Sequence, residues 1–141
     1  MKADEAALLE RHGIKPSAQR VAIAQYVLHT DEHPSADEVW ARVKKTFPMV
    51  SRATIYNTLN LFVERGLLRH LVLTEGRLVF DSKVERHHHF IDDETGKIYD
   101  LPWDTLKVSR IEQIQGFDIH DYQVLLRGKK RSGQRERKPK Q

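Results

Sequence analysis

The hydrophobic period of this chain changes at Gly66, and that change fixes most of what it can fold into. Before Gly66, apolar residues recur every three or four positions; directly after it they alternate or cluster in short β-rich runs. The first spacing lines one face of a helix and the second one face of a strand. Four helical segments come first. "DEAALLERHG" (4–13) closes on Gly13, a natural helix stop. "PSAQRVAIAQYVLH" (16–29) opens at Pro16–Ser17 and sets Val21, Ala24 and Leu28 along one face. "PSADEVWARVKKTF" (34–47) carries Ser35 and Glu38 at capping-box spacing, repeats Val39, Val43 and Phe47, and is expected to end at Pro48. "SRATIYNTLNLFVERG" (51–66) has Ser51 as N-cap and Gly66 just past its end, with Ile55, Leu59, Phe62 and Val63 expected inside.

Beyond Gly66, "LLRHLVLTEGRLVFD" (67–81) reads as a hairpin turning at Thr74–Glu75–Gly76. Helices closed by such a hairpin make a winged helix-turn-helix, whose last helix enters the DNA major groove. A second unit follows: extended "HHHFI", a polar turn "DDETGK", a return strand "IYDL", a helix expected over "PWDTLKVSRIEQIQG" (102–116), and β-rich "DYQVLLRG" (121–128). The expected class is α+β, an N-terminal winged helix-turn-helix plus a small C-terminal α/β dimerisation domain. The expected boundaries are 1–80 for the DNA-binding domain, 81–86 for a polar hinge, 87–128 for the dimerisation and metal-sensing domain, and 129–141 for a disordered basic tail. So small a sheet needs further burial, which a homodimer would supply.

The net charge of +4 hides an asymmetry. "KKRSGQRERKPKQ" (129–141) alone carries +6, which leaves −2 on residues 1–128. That tail either solubilises or contacts phosphates non-specifically. The 141 residues contain no cysteine, which excludes disulfides, thiolate zinc sites and thiol redox chemistry. No signal peptide and no apolar run near the roughly 20 residues of a membrane span are present, so the expectation is a soluble cytoplasmic protein with no membrane partner.

Two constellations carry chemistry. On the fourth helix, once Ile55 and Leu59 face inward, Arg52, Tyr56, Asn57 and Asn60 fall outside. Arg can fork to guanine or phosphate, Asn can pair with adenine, and a Tyr ring can pack on a thymine methyl. The residues expected at double-stranded DNA are Ser51, Arg52, Thr54, Tyr56 and Asn57, with Arg20 and Lys15. The second constellation is the histidine run. On a strand, His87 and His89 share one face and His88 points to the other. If the turn 92–97 closes a hairpin, Asp100 approaches the same patch, giving two nitrogens and a carboxylate suited to Fe(II), Mn(II) or Zn(II). Asp81, ending the wing, and His33, before the third helix, are further candidates that would have to be brought in across the hinge. Singly, His33 reads as a capping residue and Asp81 as a turn former.

The order of "HPSADEVW" (33–40), "SRATIYNTLNLF" (51–62), "FDS…HHH" (80–89) and "TGKIYDL" (95–101) resembles the ferric uptake regulator superfamily of metal-responsive dimeric repressors. The resemblance runs from about residue 10 to Gly128. It implies regulatory metal ligands at His33, Asp81, His87, His89 and Asp100. Aspartate rather than glutamate at position 100 is similar to the peroxide-sensing, PerR-like branch. There, bound Fe(II) reacts with hydrogen peroxide and the oxidant modifies a ligand histidine, here His33 or His87, which opens the hinge and releases a palindromic operator. Mn(II) supports DNA binding without that reaction, and Zn(II) can occupy the site in vitro. The family's structural zinc sits on two Cys-x-x-Cys motifs; here "DDET" (92–95) stands at the first, so no structural zinc is expected and the turn must be held by its own hydrogen bonds. A further family metal site corresponds to Arg86, His88, Lys107 and Tyr122, leaving one metal per protomer. The alternative within the superfamily is an iron- or haem-responsive regulator. The alternative outside it is a small non-haem iron metalloenzyme, disfavoured because five protein ligands leave little room for substrate and so short a chain offers few pocket walls. The expectation is therefore not an enzyme.

Overall fold

The computed structural model describes residues 2–73 and 76–131, without the side chains of Lys2 and Ala3. The chain divides into two compact units, one up to Val84 and one from Glu85 onward.

The first unit contains helices α1 (Lys2–Arg11), α2 (Ala18–Val27), α3 (Ala36–Val43) and α4 (Arg52–Glu64), then strands β1 (Arg69–Val72) and β2 (Leu78–Asp81). Each of the last three helices starts on a serine whose hydroxyl takes an otherwise unmet backbone N–H. Ser17 accepts from Arg20, Ser35 from Glu38 and Ser51 from Thr54. At α3 the cap is reciprocal, because the Glu38 carboxylate accepts the Ser35 backbone N–H at 3.1 Å. Gly13 and Gly66 follow α1 and α4 with φ of 73° and 78°, the left-handed turn that a residue without Cβ adopts freely. The core gathers Leu9, Ile23, Val39, Ile55, Leu59, Phe62 and Phe80 from five elements. Burial of each such side chain contributes roughly 1.5–3 kcal/mol.

Three details differ from the sequence reading. Helix α3 stops at Val43, well before Pro48, because its last turn tightens into i→i+3 bonds from Lys45 to Arg42 and from Thr46 to Val43. On α4, Thr58 rather than Val63 joins Ile55, Leu59 and Phe62 inside, and Val63 is only half-buried. On α2, Ile23 and Val27 are buried with Ala24, while Val21 and Leu28 lie at the edge.

Strands β1 and β2 pair antiparallel, Arg69 opposite Asp81 and Val72 opposite Leu78. Thr74 and Glu75 of the expected turn lie outside the described residues. The N–H of Phe80 donates to Pro34 O at 2.8 Å, which ties β2 to the segment entering α3.

The second unit is a three-stranded sheet of β3 (His87–Asp92), β4 (Ile98–Pro102) and β5 (Leu125–Gly128), ordered β4-β3-β5. β3 pairs antiparallel with β4, His89 opposite Asp100, and parallel with β5. The β3–β4 turn closes on itself: Asp92 Oδ1 accepts the N–H of Glu94 at 2.8 Å, and Gly96 N–H donates to Asp92 O at 2.7 Å. Arg127 on β5 adds a 3.0 Å bond to Asp93.

The helix expected over 102–116 does not form. Only short 3-10 turns occur, at Trp103–Thr105 and Ile111–Gln113, and Arg110 between them sits at φ 71°. None of the segment's residues is buried, so a helix here would lack the packing that makes short helices stable. Lys129 Nζ lies 2.8 Å from Glu94, and Lys130 Nζ sits 4.9 Å from the Tyr99 ring centre. Residues 132–141, the rest of the expected disordered tail, lie outside the described residues. Among the described residues, no helix is long and apolar enough to cross a membrane.

Candidate functional site

Each unit presents part of the expected ligand set. In the first, His33 Nε2 lies 3.4 Å from Asp81 Oδ2, and both side chains are buried. Asp81 is held by the Lys83 N–H, which donates to its Oδ1 at 2.9 Å. His33 is one of two described non-glycine residues at positive φ, 56°, a conformation uncommon for a side chain with a Cβ. Such strain concentrates where a side chain must be aimed.

In the second unit, His87 and His89 project from one face of β3 and Asp100 from β4. Both Nε2 atoms face the same carboxylate oxygen, Asp100 Oδ1, at 3.4 and 3.5 Å. The two rings meet edge-on, with centroids 4.5 Å apart. The tautomer of His87 follows from its other nitrogen. Nδ1 lies 2.6 Å from Glu85 O, and a carbonyl only accepts, so Nδ1 carries the hydrogen. In the neutral ring Nε2 then offers a lone pair to a carboxylate that also offers lone pairs. A cation or a proton reconciles the two. Two buried imidazole nitrogens and a carboxylate fit a borderline divalent ion, and the backbone bond from Nδ1 is the outer support that metal-binding histidines commonly have.

The DNA-facing expectations fall into four sets. Tyr56, Asn57 and Asn60 are exposed on the outer side of α4. Ser51 and Thr54 are engaged in the cap, their hydroxyls 2.9 Å apart. Arg20 Nη1 donates to Lys15 O at 3.0 Å, so these two lie together at the start of α2. Arg52 lies against α3, its guanidinium over the Trp40 ring and 3.4 Å from Asp37 Oδ1. Trp40 and Lys44 were missed by the sequence reading, although their i, i+4 spacing on α3 was visible. Met49, in the turn before α4, is 92% exposed and was also passed over.

Comparison with known proteins adds the decisive observation: the family model described as the ferric uptake regulator family matches residues 11–127. The chain belongs to the ferric uptake regulator family. The peroxide-responsive repressor PerR of Staphylococcus aureus strain Mu50 is 33% identical over 124 residues, covering 86% of this chain and 84% of that protein. A zinc-bound manganese uptake regulator superposes with a TM-score of 0.66 at 26% identity, covering 89% of this chain and 98% of that one. PerR from Streptococcus pyogenes superposes with a TM-score of 0.52 at 26% identity, over 94% and 92% of the two chains. As a member of the ferric uptake regulator family, this chain is a metal-responsive transcriptional regulator and not an enzyme. The architecture of a winged-helix unit followed by a dimerisation-type unit is that of the family.

Within this ferric uptake regulator fold, His88 corrects the sequence reading. It points away from His87 and His89, but not into solvent. It is 1% exposed, its ring stacks on Trp103 at 4.4 Å, and its Nδ1 accepts the Val124 N–H at 2.9 Å. Burial holds it below the usual histidine range, with the hydrogen bond to the Trp103 backbone opposing that shift. Arg86 lies over the same Trp103 at 3.8 Å and over Tyr122 at 5.2 Å, and its Nε is 3.7 Å from Asp121. Three of the four positions compared above with a further family metal site, Arg86, His88 and Tyr122, thus build one stack around Trp103.

Proposed function

We propose that this regulator is a homodimeric, metal-dependent repressor that senses hydrogen peroxide. Its regulatory ion, Fe(II) or Mn(II), with Zn(II) able to substitute in vitro, is held by His33 and Asp81 from the first unit and His87, His89 and Asp100 from the second. The observation that carries this reading is the facing of two imidazole nitrogens on one Asp100 oxygen, with the His87 tautomer set by Glu85. A ligand set drawn from both units makes ion binding favour one arrangement of those units, which is the form a switch requires.

Fe(II) held there would activate hydrogen peroxide, whose two-electron reduction to water would balance the two-electron insertion of one oxygen into a neighbouring imidazole C–H; Mn(II) would not. His33 and His87 are the imidazoles proposed to take that oxygen. An oxidised ring donates poorly, so the two units are no longer held in the arrangement that grips a palindromic operator, whose half-sites lie about one helical turn or a near multiple apart. Support comes from aspartate at position 100, from relatives named as peroxide-responsive repressors, and from a chain without cysteine, in which a thiol route to peroxide is closed. The test is DNA retention by metal-free, Mn(II)-loaded and Fe(II)-loaded protein, each with and without peroxide. The expected result is retention by both loaded forms, and loss after peroxide only with Fe(II), accompanied by one added oxygen on the peptide of His33 or His87. Equal retention by metal-free and loaded protein would overturn the switch.

A further inference from the structure

Trp40 carries two cations. Lys44, the C-cap of α3, holds its Nζ 4.1 Å from the indole centre, and Arg52, the first residue of α4, holds its guanidinium carbon 4.5 Å away. The indole is itself fixed, because Nε1 donates to Val50 O at 3.0 Å, in the turn that joins the two helices. An indole face attracts a cation through its quadrupole, so both long side chains are confined before any ligand arrives. That confinement lowers the entropy lost on binding an anion. The carboxylate partner of Arg52, Asp37, is 57% exposed and the arginine 60%, so their ion pair is weak and readily exchanged for a stronger acceptor.

Arg52 is therefore aimed differently from Tyr56, Asn57 and Asn60. It is held on the Trp40 ring of α3, which Lys44 also contacts, whereas the other three stand on the outer side of α4. We infer that Lys44 and Arg52, braced on Trp40, clamp a phosphate of the DNA backbone, and that the base edges are left to Tyr56, Asn57 and Asn60. Phosphate contacts set register and carry no sequence information; contacts to base edges supply the discrimination. This inference rests on the reading that α4 is the DNA-contacting helix.

The two roles separate in a salt series. Mn(II)-loaded full-length protein is titrated by anisotropy against two duplexes of equal length, one recovered by selection from a random pool and one scrambled. Lys44→Ala and Arg52→Ala are each expected to weaken both duplexes by the same factor and to lower the slope of log affinity against log salt by about one. Trp40→Leu should reproduce part of that loss and Trp40→Phe restore it. Asn57→Ala should instead narrow the ratio between the duplexes. The neighbouring exposed Lys45→Ala is the control, with a smaller effect on both quantities. A narrowed ratio with Arg52→Ala would make it a base reader and overturn the clamp, as would an unchanged slope with Lys44→Ala or an equal loss with Lys45→Ala. Unchanged affinity for both duplexes in Tyr56→Ala, Asn57→Ala and Asn60→Ala alike would overturn the α4 reading itself, a result distinct from any of these.

Discussion

His87 turns Nε2 toward Asp100 Oδ1 at 3.4 Å while its Nδ1 hydrogen is committed to the carbonyl of Glu85. The ring is thus held by the backbone through one nitrogen, while the other faces a carboxylate. That arrangement presents a lone pair of known direction to a cation and is the feature on which the metal reading chiefly depends.

Removing the shared carboxylate should therefore weaken the whole set. Asp100→Asn is expected to reduce Mn(II) affinity by roughly 100-fold or more, beyond the loss typical of an outer-shell contact. Asp100→Glu should keep Mn(II) binding and slow the loss of DNA on treating the Fe(II) form with peroxide. Competition titration with a metal indicator measures the first effect, and a time course of DNA retention the second. Unaltered Mn(II) affinity in Asp100→Asn would remove this residue from the ligand set.

Adjacent histidines should fail in different ways. His88→Ala leaves the Val124 N–H without its acceptor and opens space beside Trp103, so it should cost about 2–4 kcal/mol of stability. Its metal affinity should stay near wild type. His89→Ala should do the reverse, with a small change in urea midpoint and a large loss of metal affinity. Equal metal losses from the two variants would contradict the division of β3 into two faces.

Metal removal should leave the second unit folded. The turn 92–97 is closed by Asp92 and braced by the Arg127–Asp93 bond. A chelator is expected to abolish DNA retention while leaving the far-ultraviolet circular dichroism spectrum unchanged. Asp92→Ala, by contrast, should cost about 1 kcal/mol in urea unfolding whether or not metal is present.

Acid should weaken the contact between Glu5 on α1 and His29, just past the end of α2. His29 Nε2 lies 2.6 Å from the buried carboxylate of Glu5, and that bond holds Glu5 below the usual carboxylate range while burial opposes it. A depressed carboxylate contributes stability above its unfolded value, and that contribution disappears as pH falls through the folded value. The difference in urea midpoint between wild type and His29→Ala should be full near pH 6, above the ordinary glutamate value of about 4.3, and shrink as pH drops below it. A difference that grows toward acid pH would show the sign to be wrong.

What could be read in advance depended on how local the cause was. The serine caps at 17, 35 and 51 are set by neighbours three residues away, and all three appear as expected. The sharing of a face by His87 and His89, and the approach of Asp100, follow from a period of two and one closed turn. The burial of His88 was not legible, since its cover comes from Trp103 and Val124, placed there by the path of the chain to β5. Arg52 was assigned an outward direction from helix periodicity, which does not register the pull of Trp40 twelve positions earlier. The segment 102–116 has apolar residues at plausible helical spacing, but spacing forms a helix only where something receives its face.

β3 lies between two neighbours, bonded to β4 on one side and β5 on the other. One residue inserted or deleted within 87–89 would exchange its two surfaces, bringing a single imidazole to the carboxylate and driving two against the Trp103 stack. The same insertion in the loop before it, between Lys83 and Glu85, displaces no strand-paired residue and leaves the Lys83–Asp81 and Glu85–His87 bonds in place. Length variation among natural relatives should therefore be tolerated better between Lys83 and Glu85 than from His87 to Phe90.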